Sequence, residues 1–264
     1  AWVRFAGPGP LAPPDMKDNG VLSIGIKLMG VEGEKLLDDE KWTQDFTGIS
    51  VPTFTTPNIQ ENLKLQKQVY EGTPLFYFIN PFDSHMLDGI MQGLYSKTQT
   101  SPLEVQYFSC VAYLFGDGQA IHYSIQPRSN EKTKIPKKPS ANYLRETMVK
   151  TLSTKEVIFD FRIQFQTDAY RMPIENASVE WPERLSPFLR VATLRLPVQQ
   201  FDSEQQLTFA ENLSYNPWHC IAEHRPLGNQ NRARKAIYYA LSGLRLEMNG
   251  ETRREPTGAE VFDR

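Results

Sequence analysis

Residues 157–166, VIFDFRIQFQ, constrain the fold more than any other stretch, because their side chains alternate in character over the whole segment. Phe159, Phe161, Ile163 and Phe165 share one side, and charged or amide residues occupy the other. Alternation with a period of two predicts a β-strand that has one apolar and one polar face. A strand of this kind needs several partners before its apolar face is covered.

Further stretches with strand character occur along most of the chain. They are residues 1–5, 21–29, 46–56, 104–115, 119–127 and 189–196. Gly116-Asp117-Gly118 separates two of them and is a tight hairpin signal. We count about six long antiparallel strands, enough for a β-barrel that lacks one or two strands at its N-terminus. Because the sequence opens within a strand, we expect a natural N-terminal segment to be missing from it.

Helical patterns are interspersed with these strands and dominate the C-terminal quarter. Helices are predicted at residues 60–70, 81–96, 143–152 and 231–250, and Asp202 with Gln205 predicts a capping box that opens another helix. Residues 168–187 form a proline-interrupted segment, read as a wrapping loop. The sequence thus predicts a single α+β domain over residues 1–264. Its antiparallel β-barrel core covers about 1–200, and its C-terminal helices cover about 202–250.

The helix predicted at 231–250 carries two neighbouring stripes at about 100° per residue. The apolar stripe contains Ile237, Ala240, Leu241, Leu244 and Met248. The other stripe contains Arg234, Tyr238, Ser242 and Arg245. One interpretation is a solvated polar face on an amphipathic helix. The alternative is a phenol whose ionised form is favoured by an adjacent guanidinium, and phenolate is a ligand suited to ferric haem.

Composition sets limits on function. A net charge of −2 and a pI near 6.2 give no bias toward nucleic acid or anionic membranes. No apolar run approaches the roughly 20 residues that a membrane helix needs. Cys110 and Cys220 form no spaced framework, which favours reduced, buried thiols and a cytoplasmic location.

Several motifs, in order, resemble the catalase superfamily, in particular the small bacterial catalase-like haem proteins (catalase-related peroxidases). The proximal haem motif is matched by Arg234-x-x-x-Tyr238. The approach to it is matched by residues 215–228 (YNPWHCIAEHRPLG), and the early barrel strands by Val3-Arg4-Phe5, residues 24–28 and residues 48–54. Taken together, the resemblance covers nearly the whole chain and implies the catalase-type barrel with its wrapping loop and C-terminal helices.

The resemblance implies roles for four residues. Tyr238 would be the axial phenolate ligand of the iron of haem b, and Arg234 would hydrogen-bond that phenolate and keep it ionised. Arg245 and Arg4 would bind haem propionates. The neighbouring Tyr239 lies about 100° further round the helix and is expected to serve in packing.

The catalytic half of the site departs from the family pattern. The family's distal histidine lies upstream of the Val-Arg-Phe strand, and none of the four histidines here occupies that place. These are His85, His122, His219 and His224. Ser50 stands at the position of the family's distal asparagine, and Ala6 at that of its serine. For His219, Glu223 and His224 we favour a structural loop role over a metal site, and for His122 a packed or surface strand position.

Two classes of function follow. The first is a haem-dependent oxidoreductase of the catalase or peroxidase type, acting on hydrogen peroxide or organic hydroperoxides with an altered distal pocket. The second is a catalase-fold protein, haem-binding or haem-free, without peroxide turnover. The resemblance also leaves open a fatty-acid hydroperoxide-rearranging enzyme, and it leaves open whether the chain is a monomer or a homo-oligomer.

Overall fold

In the computed structural model, which describes residues 1–7, 13–17 and 20–262, eight antiparallel strands form one sheet. The strands are β1 (Trp2–Ala6), β2 (Ser23–Met29), β3 (Thr43–Ile49), β4 (Tyr107–Phe108), β5 (Tyr113–Leu114), β6 (Ala120–Pro127), β7 (Val157–Phe165) and β8 (Leu189–Leu196). Their order is β1-β2-β3-β4-β6-β7-β8, and β5 pairs with the far end of β6.

The sheet curls into a half-barrel and does not close through pairing of its described end strands. β1 and β8 stand at opposite ends of the strand order. The curl nevertheless brings the Phe5 ring of β1 to 6.5 Å from the Phe159 ring of β7. The predicted antiparallel core, a barrel that lacks strands, is therefore confirmed.

Six α-helices accompany the sheet in the described part of the chain. They are α1 (Ile59–Tyr70), α2 (Pro74–Ile79), α3 (Met86–Tyr95), α4 (Tyr143–Leu152), α5 (Glu204–Asn212) and α6 (Gly228–Met248). The sequence reading missed α2, whose PLFYFI sequence is too short and too uniformly apolar to show a period. The predicted capping box was one residue out: Ser203 accepts from the Gln206 amide, and Gln206 reaches back to Ser203.

Two predicted strands are shorter in the structure. The stretch 46–56 leaves the sheet after Ile49. The stretch 104–115 divides into β4 and β5 at Cys110, which adopts a φ of +57°. A positive φ is uncommon for a residue with a side chain, and it breaks a strand. The Cys110 thiol is buried against the Val51 carbonyl oxygen, 3.0 Å away.

The sheet's two faces differ around β1, β2 and β3. On the concave face, Ile24 and Ile26 are buried with Phe159 and Tyr107 in the core. The convex face carries Arg4, Gly25 and Thr47 side by side, because Gly25 is paired with Arg4 on one side and Thr47 on the other. Alternation therefore separates an apolar core from a polar row that is available to the C-terminal helix.

Both cysteines are free and buried, as the sequence predicts. Within residues 1–7, 13–17 and 20–262, no helix combines the length and the apolar composition needed to cross a bilayer.

Candidate functional site

Helix α6 turns its Arg-Tyr stripe toward the sheet and its apolar stripe toward solvent. Ile237, Leu241 and Leu244 are 43%, 59% and 52% exposed, whereas Arg234 and Tyr238 are partly buried. The interpretation of a solvated polar face is therefore wrong. The helix also begins at Gly228, three residues before the predicted start, because the turn after Leu227 is continuous with it.

Arg234 is the residue through which this stripe binds the sheet. Its Nη2 donates to Thr47 Oγ1 on β3 at 2.7 Å and to the Tyr238 hydroxyl oxygen at 3.1 Å. Its Nη1 donates to Asn231 Oδ1 at 3.0 Å. Burial disfavours the guanidinium charge, but the phenols of Tyr238 and Tyr113 keep the pKa of Arg234 above its ordinary value. A permanent positive charge is thus held against the Tyr238 oxygen.

Asn231 and Trp218 fix the start of the helix, and with it the direction of Arg234. Asn231 is fully buried, and its Nδ2 donates to the carbonyl oxygens of Ala112 and Leu227, both at 3.0 Å. The Trp218 indole donates to the Asn231 carbonyl oxygen at 2.7 Å. Because the two hydrogen bonds from Nδ2 hold the Asn231 amide in place, its Oδ1 is a rigid acceptor for Arg234.

Arg4 and Arg245 form the second charged feature of the site. Burial lowers the pKa of Arg245, and the positive charges of Arg4 and Arg253 lower it further. Arg245 donates to the Leu213 carbonyl oxygen at 2.8 Å. Neither Arg4 nor Arg245 forms a salt bridge with a carboxylate of the described residues. The guanidinium of Arg4 on β1 repels that of Arg245 on α6. An anionic group such as a carboxylate would relieve that repulsion.

Tyr215 covers the polar row between Arg4 and Thr47. Gly25 makes this approach feasible, because a Cβ on that residue would lie 2.9 Å from Tyr215 Cδ1. Burial raises the pKa of the Tyr215 phenol well above its usual range, so this hydroxyl stays protonated. Tyr215 therefore lines the site as a neutral aromatic wall.

A buried ion cluster lies next to this wall and joins the 215–220 segment to the sheet. Lys27 is fully buried and pairs with Glu40 and with Asp45, the latter at 2.8 Å. His219 contacts Asp45 through Nδ1 at 2.8 Å and Asp39 through Nε2 at 3.0 Å. These carboxylate hydrogen bonds outweigh burial and raise the pKa of His219 to about 9, so the ring is an imidazolium at neutral pH.

Arg253 extends the cluster to α6. Its Nη1 donates to Asp39 at 2.6 Å, and its Nη2 donates to Ser242 Oγ on the Arg-Tyr stripe at 2.6 Å. The helix that carries Tyr238 is thus held at both ends, by Asn231 and Arg234 near its start and by Arg253 near its end.

Ser50 and Ala6 lie at the ends of β3 and β1. The Ser50 hydroxyl oxygen is buried and accepts from the Leu22 amide at 2.9 Å. Ala6 pairs with Ser23, whose hydroxyl donates to the Ala6 carbonyl oxygen at 3.1 Å. Both positions therefore serve strand pairing.

The four histidines lie in separate environments, none of them in contact with Tyr238 in the described structure. His219 belongs to the ion cluster, and His122 is stacked on Trp181 at 3.7 Å as a packed strand residue. His224 bonds to Gln44, and His85 stacks on Tyr77. The expected structural role of His219 is consistent with the ion cluster, although its carboxylate partners were not foreseen.

Among the described residues, two groups of side chains have the spacing of metal ligands. The first is Glu40, Asp45 and His219, but Lys27 already provides a cation between these carboxylates. The second is Glu61, Asp83 and His85, and there Lys64 pairs with both carboxylates. Ammonium groups therefore balance the charge in both groups.

The sequence did not point to Thr47 and Asn231, which position Arg234. Gly25, within a predicted strand, indicated a bulge or a close approach of another segment, and Tyr215 makes that approach. The signal that existed was register: once β2 and β3 pair, Gly25 and Thr47 are neighbours on one face.

Comparison with solved structures gives the fold class. A fungal catalase matches with a TM-score of 0.77 over 98% of this chain at 14% identity. Catalase A from Saccharomyces cerevisiae matches with 0.73 over 99% at 13% identity, and a bacterial catalase with 0.67 over 99% at 14% identity. No protein-family model and no curated protein sequence matches the chain.

The chain therefore has a catalase-like fold. It covers 55%, 57% and 56% of these three chains respectively, and so spans just over half the length of each structure that it matches.

Proposed function

We propose that this chain binds haem b, that the Tyr238 oxygen would be the protein ligand of its iron, and that its function is haem-dependent peroxide chemistry. The observation that carries the proposal is the 3.1 Å hydrogen bond from Arg234 to the Tyr238 oxygen, on a helix face that is turned into the protein. A guanidinium beside a phenol favours the phenolate, which is the form that binds ferric iron. The catalase-like fold supports this assignment.

The residues present fit a haem by the chemistry of their donors. The phenol oxygen of Tyr238 would bind the metal, and Arg234, held by Thr47 and Asn231, would donate a hydrogen bond to that oxygen. Arg4 and Arg245, without carboxylate partners among the described residues, would bind the propionates. When bound, haem with an anionic oxygen ligand supplies electron density that favours heterolytic cleavage of a peroxide O–O bond.

The distal side supports only slow catalatic turnover by the residues of this chain. None of the four histidines occupies the place of the family's distal histidine, and the Ser50 oxygen already accepts a backbone hydrogen bond. Loss of general acid–base assistance costs about 10²- to 10⁴-fold in rate. We therefore expect oxygen release from hydrogen peroxide to be weak, with oxidation of a reducing dye as the better assay.

An absorption spectrum after haem supplementation tests the ligand assignment. We expect a Soret band from the unmodified chain and its loss or marked shift in Tyr238→Phe. The matched control is Tyr239→Phe, because Tyr239 is adjacent, 47% exposed and outside the Arg-Tyr stripe. No Soret band in the unmodified chain, or equal spectra for the two variants, would show the assignment to be wrong.

A further inference from the structure

A separate cavity of about 260 Å³ lies within the curl of the sheet. It is bordered largely by apolar and aromatic residues of six strands, namely β2, β3, β5, β6, β7 and β8, among them Ile26, Phe46, Tyr123, Phe161, Ile163 and Ala192. An engineered cavity of about 150 Å³ lined by apolar residues is large enough to bind benzene. The volume here is therefore sufficient for a larger ring compound or a short alkyl chain.

Gln44 is one of the polar residues that border this cavity. It is only 3% exposed, and its register partner Leu28 borders the same cavity. Its Nε2 bonds to His224 Nδ1 at 2.8 Å, but its Oε1 is buried and has no hydrogen-bond partner in the described structure. Leaving a buried acceptor without a donor is costly, and such groups are rare in folded proteins.

The structure leaves the oxygen end of the Gln44 amide without a partner. Its Nε2 lies 2.8 Å from His224 Nδ1, and burial lowers the pKa of His224, which favours the neutral ring. In this orientation of the amide, Oε1 is the acceptor that has no donor among the described residues. A ligand that satisfies it must donate a hydrogen bond.

We propose that this cavity is a binding site for a small apolar molecule that carries one hydroxyl donor, such as an alkylphenol or a short alcohol. The apolar body fills the curl of the sheet, and the hydroxyl donates to Gln44 Oε1. Entry is at the edge strand β8, where Val191 borders the cavity and is 50% exposed. Gln44 lies on β3 and faces the concave side of the sheet, whereas Thr47 of β3 binds Arg234 on the convex side. Binding in this cavity is therefore independent of haem.

Calorimetric titration of the unmodified chain, without added haem, tests the hydroxyl requirement. The probes are 4-propylphenol and 4-propylanisole, which have nearly the same body but differ in the donor. One hydrogen bond predicts that the phenol binds about fivefold to tenfold more tightly. Equal affinities, or no heat from either probe at millimolar concentration, would overturn the proposal.

Two sets of variants locate the binding. In Gln44→Leu the preference for the phenol should disappear, while the anisole still binds. Val191→Trp should abolish binding of both probes by filling the mouth. The matched control is Val198→Trp, which adds the same bulk at a residue that is 54% exposed and does not border the cavity. Binding to Val191→Trp that equals binding to Val198→Trp would place the probes elsewhere and contradict the site.

Discussion

The two faces of β2 and β3 are held by opposite kinds of interaction. On the convex face, Asp45 and Thr47 bond to His219 and Arg234 of the C-terminal segments, and Lys27 pairs with Asp45. On the concave face, Ile24 and Ile26 pack against other apolar side chains. Alternate residues of one strand thus belong either to a network of directional hydrogen bonds and ion pairs or to an apolar core.

Substitutions on the two faces are therefore expected to lower the free energy of unfolding in different ways. Removing one charge of a buried ion pair leaves the other charge uncompensated. The loss of stability is therefore large, and its size depends on the neighbouring charges. Removal of a methyl group from a core costs mainly the lost contacts, and distant sites add. The site for Tyr238 is built on the first kind of face, since Arg234 and Arg253 attach its helix there.

The largest effect is expected for Lys27→Met. The change leaves Glu40 and Asp45 without their shared ammonium partner in a fully buried setting. We expect the free energy of unfolding to fall by about 3–5 kcal/mol, measured by urea denaturation. The control is Lys64→Met, since Lys64 also bridges two carboxylates, Glu61 and Asp83, but is half exposed.

A second variant separates charge from packing on the same face. Lys27→Met combined with Glu40→Gln and Asp45→Asn removes the uncompensated charges. It should be less destabilised than Lys27→Met alone. If the triple variant has the lower free energy of unfolding, the cluster stabilises the protein through packing, and the assumed difference between the two faces is wrong.

The next effect is a dependence of stability on pH that arises from His219. Its pKa is raised from 6.5 to about 9 by Asp39 and Asp45. The protonated His219 ring contributes its full stabilisation below pH 6.5, and this contribution is lost as the pH rises toward 9. The loss is on the order of 3 kcal/mol, and His219→Gln should abolish that part of the slope.

His122 provides a control of opposite sign. Burial lowers its pKa to about 3, so its neutral ring contributes stability above pH 6.5 that is lost as the pH falls toward 3. His122→Phe should therefore change the acid limb of the profile and leave the interval from 6.5 to 9 as it is. A change in that upper interval would indicate that His219 is not its source.

The smallest effects are expected on the concave face. Ile24 and Ile163 are each 2% exposed and belong to separate apolar clusters. Each Ile→Val change should cost about 1 kcal/mol in urea denaturation, and the double variant should equal the sum within about 0.5 kcal/mol. A clear deviation from the sum would mean that the concave core is coupled as the convex face is.

Local pattern predicted most of the elements well. The residues of β8 and α4 have the predicted bounds, Leu189–Leu196 and Tyr143–Leu152, because alternation and helical periodicity are local properties. Cys110 interrupts a predicted strand because its φ depends on neighbours that are distant in sequence. The half-barrel depends in the same way on which strands meet.

Helix α6 shows where local pattern is insufficient. The period of 3.6 placed Arg234 and Tyr238 on one stripe correctly, since the two side chains bond at 3.1 Å. The same period could not say which stripe faces inward, and the usual rule that apolar residues are buried gives the wrong answer for Leu241 and Leu244. Arg234 turns inward because Thr47 and Asn231 supply acceptors for it.

The sequence by itself therefore determined the strands, the long C-terminal helix and the Arg234–Tyr238 pair, all of which follow from periodicity along the chain. Only the tertiary structure decided that this pair faces the sheet, that Arg4 and Arg245 lie near each other, and that Gln44 borders a cavity. The physical reason is that hydrogen-bond partners and charge neighbours come from segments far apart in sequence. Strand register and chain curvature bring those segments together.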